Sequence, residues 1–395
     1  MKAPALTRTL LLALVSVGIV FVLVEIMLRV VAPFPNPYGD PGRLGVNQYI
    51  RFEYPRHYAA VTEAEAGLPG LSGRNRFTTN NMGFRGGELV RPRPAGEFRV
   101  FLVGGSTFEC FYLDDHVEIG RVVQNELPPL SDGRAAKVYN VGLSGAASDD
   151  HLAMIGQRLV HLEPDLIVVF AGINDLTRSN FDFDYLHYVD TRLVRERPWH
   201  KRFAMNFQIT RRLHRLKTRM APDARTLQES RPLVTNYAGR VGLQRTGVGP
   251  ATPPRTDEAS YARNLRSIAG IARANGFGLV FMTQPSTWNS TVDAQAREWS
   301  WMRYRDGVTY GEAEMDAALE RLNDTLRAVA GENGVPVCDL VAVLPKSLQY
   351  FYDDCHFTPA GAAEAGKHLA GCIVGCCFGA SHHDSSVSTP THREP

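Results

Sequence analysis

Phe98-Arg99-Val100-Phe101-Leu102-Val103-Gly104-Gly105-Ser106-Thr107 is the stretch that decides how this chain is read. Apolar and β-favouring residues run into a Gly-Gly turn, and a serine stands directly after it. That pattern describes a buried parallel strand whose carboxyl end presents a hydroxyl. In open α/β sheets, ligands and chemistry gather at the carboxyl ends of the strands. Ser106 is therefore a candidate nucleophile, provided the rest of the chain supplies a base that reaches it.

Working outward from this strand, the pattern alternates. Further strands are expected at 136–143, 165–172, 278–284 and 336–340, with 98–104 as the first. Helical periodicity falls between them at 117–127, 149–161, 257–275 and 312–332. A last helix is expected over 359–372, with Thr358 as its N-cap. Strands alternating with helices in this way build a doubly wound parallel sheet, helices on both faces.

Four positions lie at or just past the carboxyl ends of these strands. Ser106 follows the first. Gly145, in Asn140-Val-Gly-Leu-Ser-Gly145, follows the second. Asn174, in Gly172-Ile-Asn-Asp175, follows the third, and Asp353-Asp354-Cys355-His356 comes after the last. In a parallel sheet these loops open on one edge and converge. A serine hydroxyl is a weak nucleophile at neutral pH, so an imidazole must take its proton, and His356 is the candidate. A carboxylate must hold that imidazole in the right tautomer. Asp353, three residues earlier, can do so locally, and Asp354 is the alternative. The anionic intermediate needs fixed donors, for which the Ser106 and Gly145 backbone N–H groups and the Asn174 amide are expected. Each element alone is commonly just a turn or a cap. Four in order, each after its own strand, carry more weight.

These residues resemble the SGNH (GDSL-like) hydrolase family over roughly 98–175 and 336–372. Gly104-Gly105-Ser106-Thr107 stands where the family's Gly-Asp-Ser-Leu block is expected. Gly145 matches the second block, Asn174 in Gly-Ile-Asn-Asp the third, and Asp353 with His356 the final Asp-x-x-His block. Asn80-Asn81-Met-Gly83-Phe-Arg-Gly86 looks like the lead-in of membrane-anchored bacterial members. The resemblance implies a three-layer α/β/α, flavodoxin-like fold and ester hydrolysis through an acyl-serine, with no cofactor and no metal. Gly105 replaces the first block's aspartate, and Ala146 replaces a residue that is often polar. Neither change removes a catalytic atom. If Ser106 meets His356, Cys110 and Cys355 are brought near one another, and an extracytoplasmic disulfide between them is one expectation; two small buried thiols are the other.

The ends of the chain set its location. Lys2 and Arg8 precede an uncharged run from Thr9 to Val24. Counted to Ala32 the helix is roughly 36 Å long at about 1.5 Å per residue, enough to cross a bilayer. Glu25 and Arg29 are four apart and can pair on one face. A cleaved signal peptide is the rival, disfavoured because the flank lacks an A-x-A pattern. The positive N-terminus argues for an inside stub, with the rest outside the cytoplasmic membrane, in the periplasm or beyond.

The expected domains are a stub and anchor at 1–32, a stalk and lead-in at 33–97, a hydrolase-like domain at 98–372, and a disordered tail at 373–395. Two insertions interrupt the domain. The first, at about 176–255, carries the basic run from Arg211 to Arg219, a solvated helix face or a contact for anionic headgroups or an acidic glycan. The second, at about 286–310, holds Trp288, Trp299 and Trp301, for which packing is expected ahead of a lid or sugar-stacking role.

Composition excludes other classes. The chain has 395 residues, a net charge of +2 and 21% charged residues, so nothing points to nucleic acid. Its six cysteines show no zinc-like spacing, and His382-His383 near Cys376-Cys377 matches no standard metal site. Gly104-Gly105-Ser106-Thr107 lacks the longer glycine-rich loop and lysine of a phosphate site. The expected partners are the membrane and an acylated glycan or small ester. Two rivals keep the fold: an O-acyltransferase, which would need a membrane partner delivering the acyl group, and a non-catalytic anchored glycan-binding module.

Overall fold

The computed structural model describes residues 3–32, 50, 53–64, 67–179, 203–204, 206–213, 251–305 and 308–378. The basic run beyond Leu213 and the tail with His382-His383 lie outside the described residues. The chain forms two compact units. One comprises Met1–Gly45 and Phe183–Asn236, the other Val46–Asp182 and Tyr237–Pro395.

In the first unit, helix α1 (Ala3–Val31) contains a stretch, Leu11–Val31, with mean hydropathy 2.8, long and apolar enough to span a membrane. Its polar pair forms as the spacing predicts: Arg29 Nε donates to Glu25 Oε1 at 2.8 Å. The Glu25 carboxylate also accepts from the backbone N–H groups of Gln208 and Ile209.

The second unit is built on a five-stranded parallel sheet. Its strands are β1 (Glu97–Gly104), β2 (Ala135–Asn140), β3 (Leu166–Phe170), β4 (Gly278–Met282) and β5 (Val337–Cys338). Their order is β5-β4-β3-β1-β2. From β1 the chain first moves to one side for β2, then crosses back to the other for β3. The switch point therefore lies between β1 and β3, with Gly104 in register with Phe170. Crevices for ligands open at such a point, outside the carboxyl ends.

The strands read as near-continuous apolar runs because both sheet faces are covered. Phe98, Val100 and Leu102 of β1, with Val168 and Phe170 of β3, pack against Ile119 and Val123 of α3 (Ile119–Glu126) and Leu369 and Ile373 of α8 (Pro359–Ile373). The other layer consists of α4 (Ser148–Gln157), α6 (Glu258–Asn275) and α7 (Glu312–Asn333), where α6 packs on both neighbours. Each fully buried Leu or Phe contributes on the order of 2 kcal/mol relative to exposure. Thr358 caps α8 as expected, its hydroxyl accepting from Gly361 N.

Arg99 interrupts the apolar run yet is fully buried. Its guanidinium is spent on Glu97 Oε1 at 2.6 Å and on the Leu162 and Val90 carbonyls, so the charge is not orphaned. The expected strand 136–143 stops at Asn140, whose side chain accepts from Gly142 N. Val141 and Leu143 still donate to the carbonyls of Leu102 and Gly104. This keeps the following loop fastened to the carboxyl end of β1.

For Cys110 and Cys355 the structure shows the second of the two expectations. Cys110 and Cys355 are free, buried thiols, and the disulfide joins Cys338 to Cys372, with 5.7 Å between Cα atoms. Thr107 separates the expected pair. Its carbonyl accepts from Cys110 Sγ at 3.2 Å, and its hydroxyl donates to Cys355 Sγ at 3.7 Å. The bond that forms ties the end of β5 to α8.

Candidate active site

Ser106 opens α2 (Ser106–Glu109), a single turn set on the Gly104-Gly105 end of β1. His356 lies 250 residues away on the loop leading into α8, and its Nε2 stands 2.7 Å from Ser106 Oγ. On the other side of the ring, His356 Nδ1 stands 2.6 Å from Asp353 Oδ2. A proton on Nδ1 leaves Nε2 free to accept the serine proton. The line can therefore carry that proton from Ser106 to the imidazole, with the carboxylate holding the ring.

The Asp353 side chain is buried and its geometry over-determined. Oδ1 accepts from the backbone N–H groups of Cys355 at 3.0 Å and His356 at 2.8 Å. Oδ2 accepts from the Trp301 indole as well as the imidazole. The Tyr352 ring stacks on His356 with centroids 5.4 Å apart. Burial pushes the imidazole pKa down, but the Asp353 charge and Cys355 outweigh it, and the net direction is well above its ordinary value. Asp354, the sequence alternative to Asp353, turns away from His356. It is fully buried and accepts from Trp288 Nε1, Ser300 Oγ, and the backbone N–H groups of Trp301 and Met302. Burial, helped by the Asp353 charge, pushes its carboxyl up to about 6.

The expected anion-stabilising residues sit beside this line. Asn174 lies on α5 (Ile173–Ser179), which starts just past the end of β3. Its Nδ2 donates one hydrogen to Ala146 O at 2.8 Å, leaving the second available to another acceptor. A Cβ built on Gly105 would stand 2.4 Å from Asn174 Nδ2 and 3.2 Å from Ala146 O. The close approach explains why this chain carries glycine there. Gly145 has φ +74, the left-handed conformation that favours glycine, and its carbonyl accepts from Arg178 at 2.6 Å.

Several supporting residues were not singled out from the sequence. Asp175 closes the Gly172-Ile-Asn-Asp175 block. It is partly buried and accepts from Ser148 Oγ at 2.5 Å and from Gly172 N at 3.2 Å, which ties the loop carrying Asn174 to α4. Burial pushes its carboxyl up to about 6 against the opposing hydrogen bonds from Ser148. Arg178 bridges Asp149, Asp150 and the Gly145 carbonyl. Glu109, which no pattern marks, is buried and accepts from Tyr54 OH at 2.6 Å and Ser144 N at 3.2 Å, holding the residue before Gly145. Arg85 of the lead-in is buried and donates to the carbonyls of Glu109, Cys110 and Leu113, each at 2.9 Å. The turn after Ser106 is thereby pinned from outside the sheet.

Among the described residues, two groups have donors close enough to share a metal ion: Asp353 with Cys355 and His356, and Cys338 with His368 and Cys372. In the first, Asp353 and His356 are already engaged with one another and with Ser106. In the second, both sulfurs are in the disulfide.

A family model described as GDSL-like Lipase/Acylhydrolase family matches residues 104–308. The match includes Ser106, Gly145 and Asn174 and stops before Asp353 and His356. No curated protein matched the chain. Among solved structures, the chain is similar to a lipase/acylhydrolase from Enterococcus faecalis. The two are 15% identical with a TM-score of 0.40, over 70% of this chain and 96% of that one. It is similar also to a GDSL-like lipase from Bacteroides thetaiotaomicron (14% identity, 73% and 93% covered, TM-score 0.37). An acetylxylan esterase from Geobacillus stearothermophilus is a third (12% identity, 70% and 92% covered, TM-score 0.37).

Proposed function

The chain belongs to the GDSL-like lipase/acylhydrolase family, and from that premise we propose that it hydrolyses O-acyl esters, with Ser106 as nucleophile. The single observation that carries this reading is the unbroken line Ser106 Oγ–His356–Asp353, at 2.7 and 2.6 Å. Ser106 Oγ attacks the ester carbonyl while His356 Nε2 takes its proton, and Asp353 stabilises the imidazolium. The developing oxyanion accepts from the Ser106 and Gly145 backbone N–H groups and from the free amide hydrogen of Asn174. His356 then returns the proton to the departing alkoxide. In the second half it draws a proton from water, whose oxygen attacks the acyl-serine; as the acyl–Oγ bond breaks and the acid is released, His356 returns that proton to Ser106 Oγ.

The substrate class follows from location. Leu11–Val31 anchors the chain, and Lys2 and Arg8 keep the short N-terminal side in the cytoplasm. The catalytic unit then faces the periplasm or cell surface, where O-acetylated glycans are the ester-bearing polymers within reach of a tethered enzyme. The test is hydrolysis of p-nitrophenyl acetate by the full-length protein in detergent micelles, beside Ser106→Ala and His356→Ala. Each variant is expected to lose at least about a thousandfold in kcat. Wild-type activity that survives Ser106→Ala overturns the reading. Acetate release from O-acetylated oligosaccharides, set against long-chain esters, tests the substrate class.

A further inference from the structure

The 286–310 insertion supplies more than packing. Thr287 is buried at the start of the segment. Its backbone N–H donates to Asp354 O at 2.8 Å, and its hydroxyl donates to Asp353 O at 3.1 Å. Trp288, fully buried, donates its indole N–H to Asp354 Oδ1 at 2.6 Å. At the far end, Ser300 Oγ donates to the same oxygen at 2.8 Å. Trp301 N and Met302 N donate to Asp354 Oδ2 at 2.8 and 3.2 Å. Both ends of the segment are thus clamped on one buried carboxylate, adjacent in sequence to Asp353. The clamp holds Trp301 so that its indole Nε1 lies 3.0 Å from Asp353 Oδ2, the oxygen that also faces His356 Nδ1.

We propose that residues 287–302 form a strap whose role is to deliver the Trp301 indole N–H to Asp353 Oδ2, making Trp301 a positioning residue that sets the basicity of His356. The proposal rests on the serine-hydrolase reading above and deepens it. Physically, two donors share one carboxylate oxygen. The indole dipole stabilises the carboxylate whether or not the imidazole is charged, so it weakens the hold of Asp353 on the imidazolium. It also adds a hydrogen bond to a carboxylate that two backbone N–H groups already grip. The other ionisable groups at the ring are Cys355 and Tyr352 on its own loop; Cys110 and Tyr112, following α2, act on Tyr352 in turn. Trp301 carries no charge, so replacing it changes the field at His356 only through the lost N–H dipole and its packing.

The experiment compares Trp301→Phe with Trp301→Gln and Trp301→Met in the full-length protein in detergent micelles. Gln places an N–H donor the same number of bonds from the backbone as the indole nitrogen, and Met is its apolar counterpart of similar length. Two readouts are taken: the acid limb of the pH profile of kcat/KM for p-nitrophenyl acetate, and the titration of His356 by NMR in a Ser106→Ala background. In Phe and Met the His356 pKa is expected to rise by on the order of half a unit to one unit, and Gln to return most of it. Equal values in wild type, Phe and Met, within about 0.2 unit, overturn the proposal and leave Trp301 as packing. Should Phe fail to fold, the Gln–Met pair decides alone. Because the NMR titration needs no turnover, a wild type without Ser106-dependent hydrolysis defeats the functional reading while the role of Trp301 is still decided.

Discussion

Gly105→Ala separates catalysis from folding at this site. The backbone at Gly105, φ −82 and ψ −156, is extended and open to any residue, so alanine introduces no backbone strain. Its added methyl stands 2.4 Å from Asn174 Nδ2, where ordinary contact begins at 3.4 Å. The Asn174 amide must therefore retreat by about 1 Å, and as the end of a flexible side chain it can do so cheaply. The Ala146 carbonyl at 3.2 Å must also give by a few tenths of an ångström. Stability is expected to change by less than about 1 kcal/mol. On the proposed mechanism catalysis is expected not to tolerate the shift, because the amide is then misplaced for the oxyanion. Loss of one such donor costs about 10²–10³ in kcat, or roughly 3–4 kcal/mol of transition-state stabilisation. The assay is kcat for p-nitrophenyl acetate beside urea unfolding, for Gly105→Ala, Asn174→Ala and the double variant. The singles should each lose about a hundredfold or more. The double should lose little beyond either one, since both disable the same donor. A Gly105→Ala enzyme within about threefold of wild type refutes the assignment of Asn174 to the oxyanion.

Two further predictions concern stability. His151 is fully buried, its Nε2 is without a hydrogen-bond partner among the described residues, and burial lowers its pKa from 6.5 to about 4. In the unfolded chain it protonates as pH falls through about 6.5, while in the fold it stays neutral until about 4. Its effect is nil above that window, and it destabilises progressively within it, by about 3 kcal/mol at the lower end. Asp175 and Asp354, with carboxyls raised to about 6, act in the opposite sense over the same range. The measurement is therefore the difference between wild type and His151→Gln in urea at pH 7 and pH 4.5, and parallel acid losses in the two proteins sink the prediction. The Cys338–Cys372 bond closes a separation of 34 residues, so the Cys338→Ser/Cys372→Ser protein should be less stable by about 4 kcal/mol on the chain-entropy account. Unfolding midpoints unchanged by the substitution, or by reductant, count against it.

How much of this was legible in the sequence depends on the range of the interaction involved. Strand and helix placement follows from local periodicity, because an apolar run between covered faces and a 3.6-residue stripe are properties of neighbouring residues. The five strands and the convergence of Ser106, Gly145, Asn174 and the 353–356 loop follow from that alternation, since parallel strands put every following loop on one edge. The choice between Asp353 and Asp354 was also local: three residues of turn let Asp353 grip the backbone N–H and the ring of the same histidine. The long apolar N-terminal helix was legible because length and apolarity are read directly from the residues.

Tertiary structure alone decided the rest. No local pattern distinguishes Cys338–Cys372 from Cys110–Cys355. Pairing depends on which Cα atoms packing brings within reach and on what stands between them, here Thr107. No local pattern marks Glu109, Arg85 or Arg178 as site supports; that role arises only when folding sets them against carbonyls and N–H groups that need partners. Trp288 and Trp301 read as packing because their hydrogen bonds go to residues 66 and 52 positions later in the chain. A sequence displays what each residue does to its neighbours. Which buried carboxylate an indole N–H meets is settled by the chain's return path across the sheet edge.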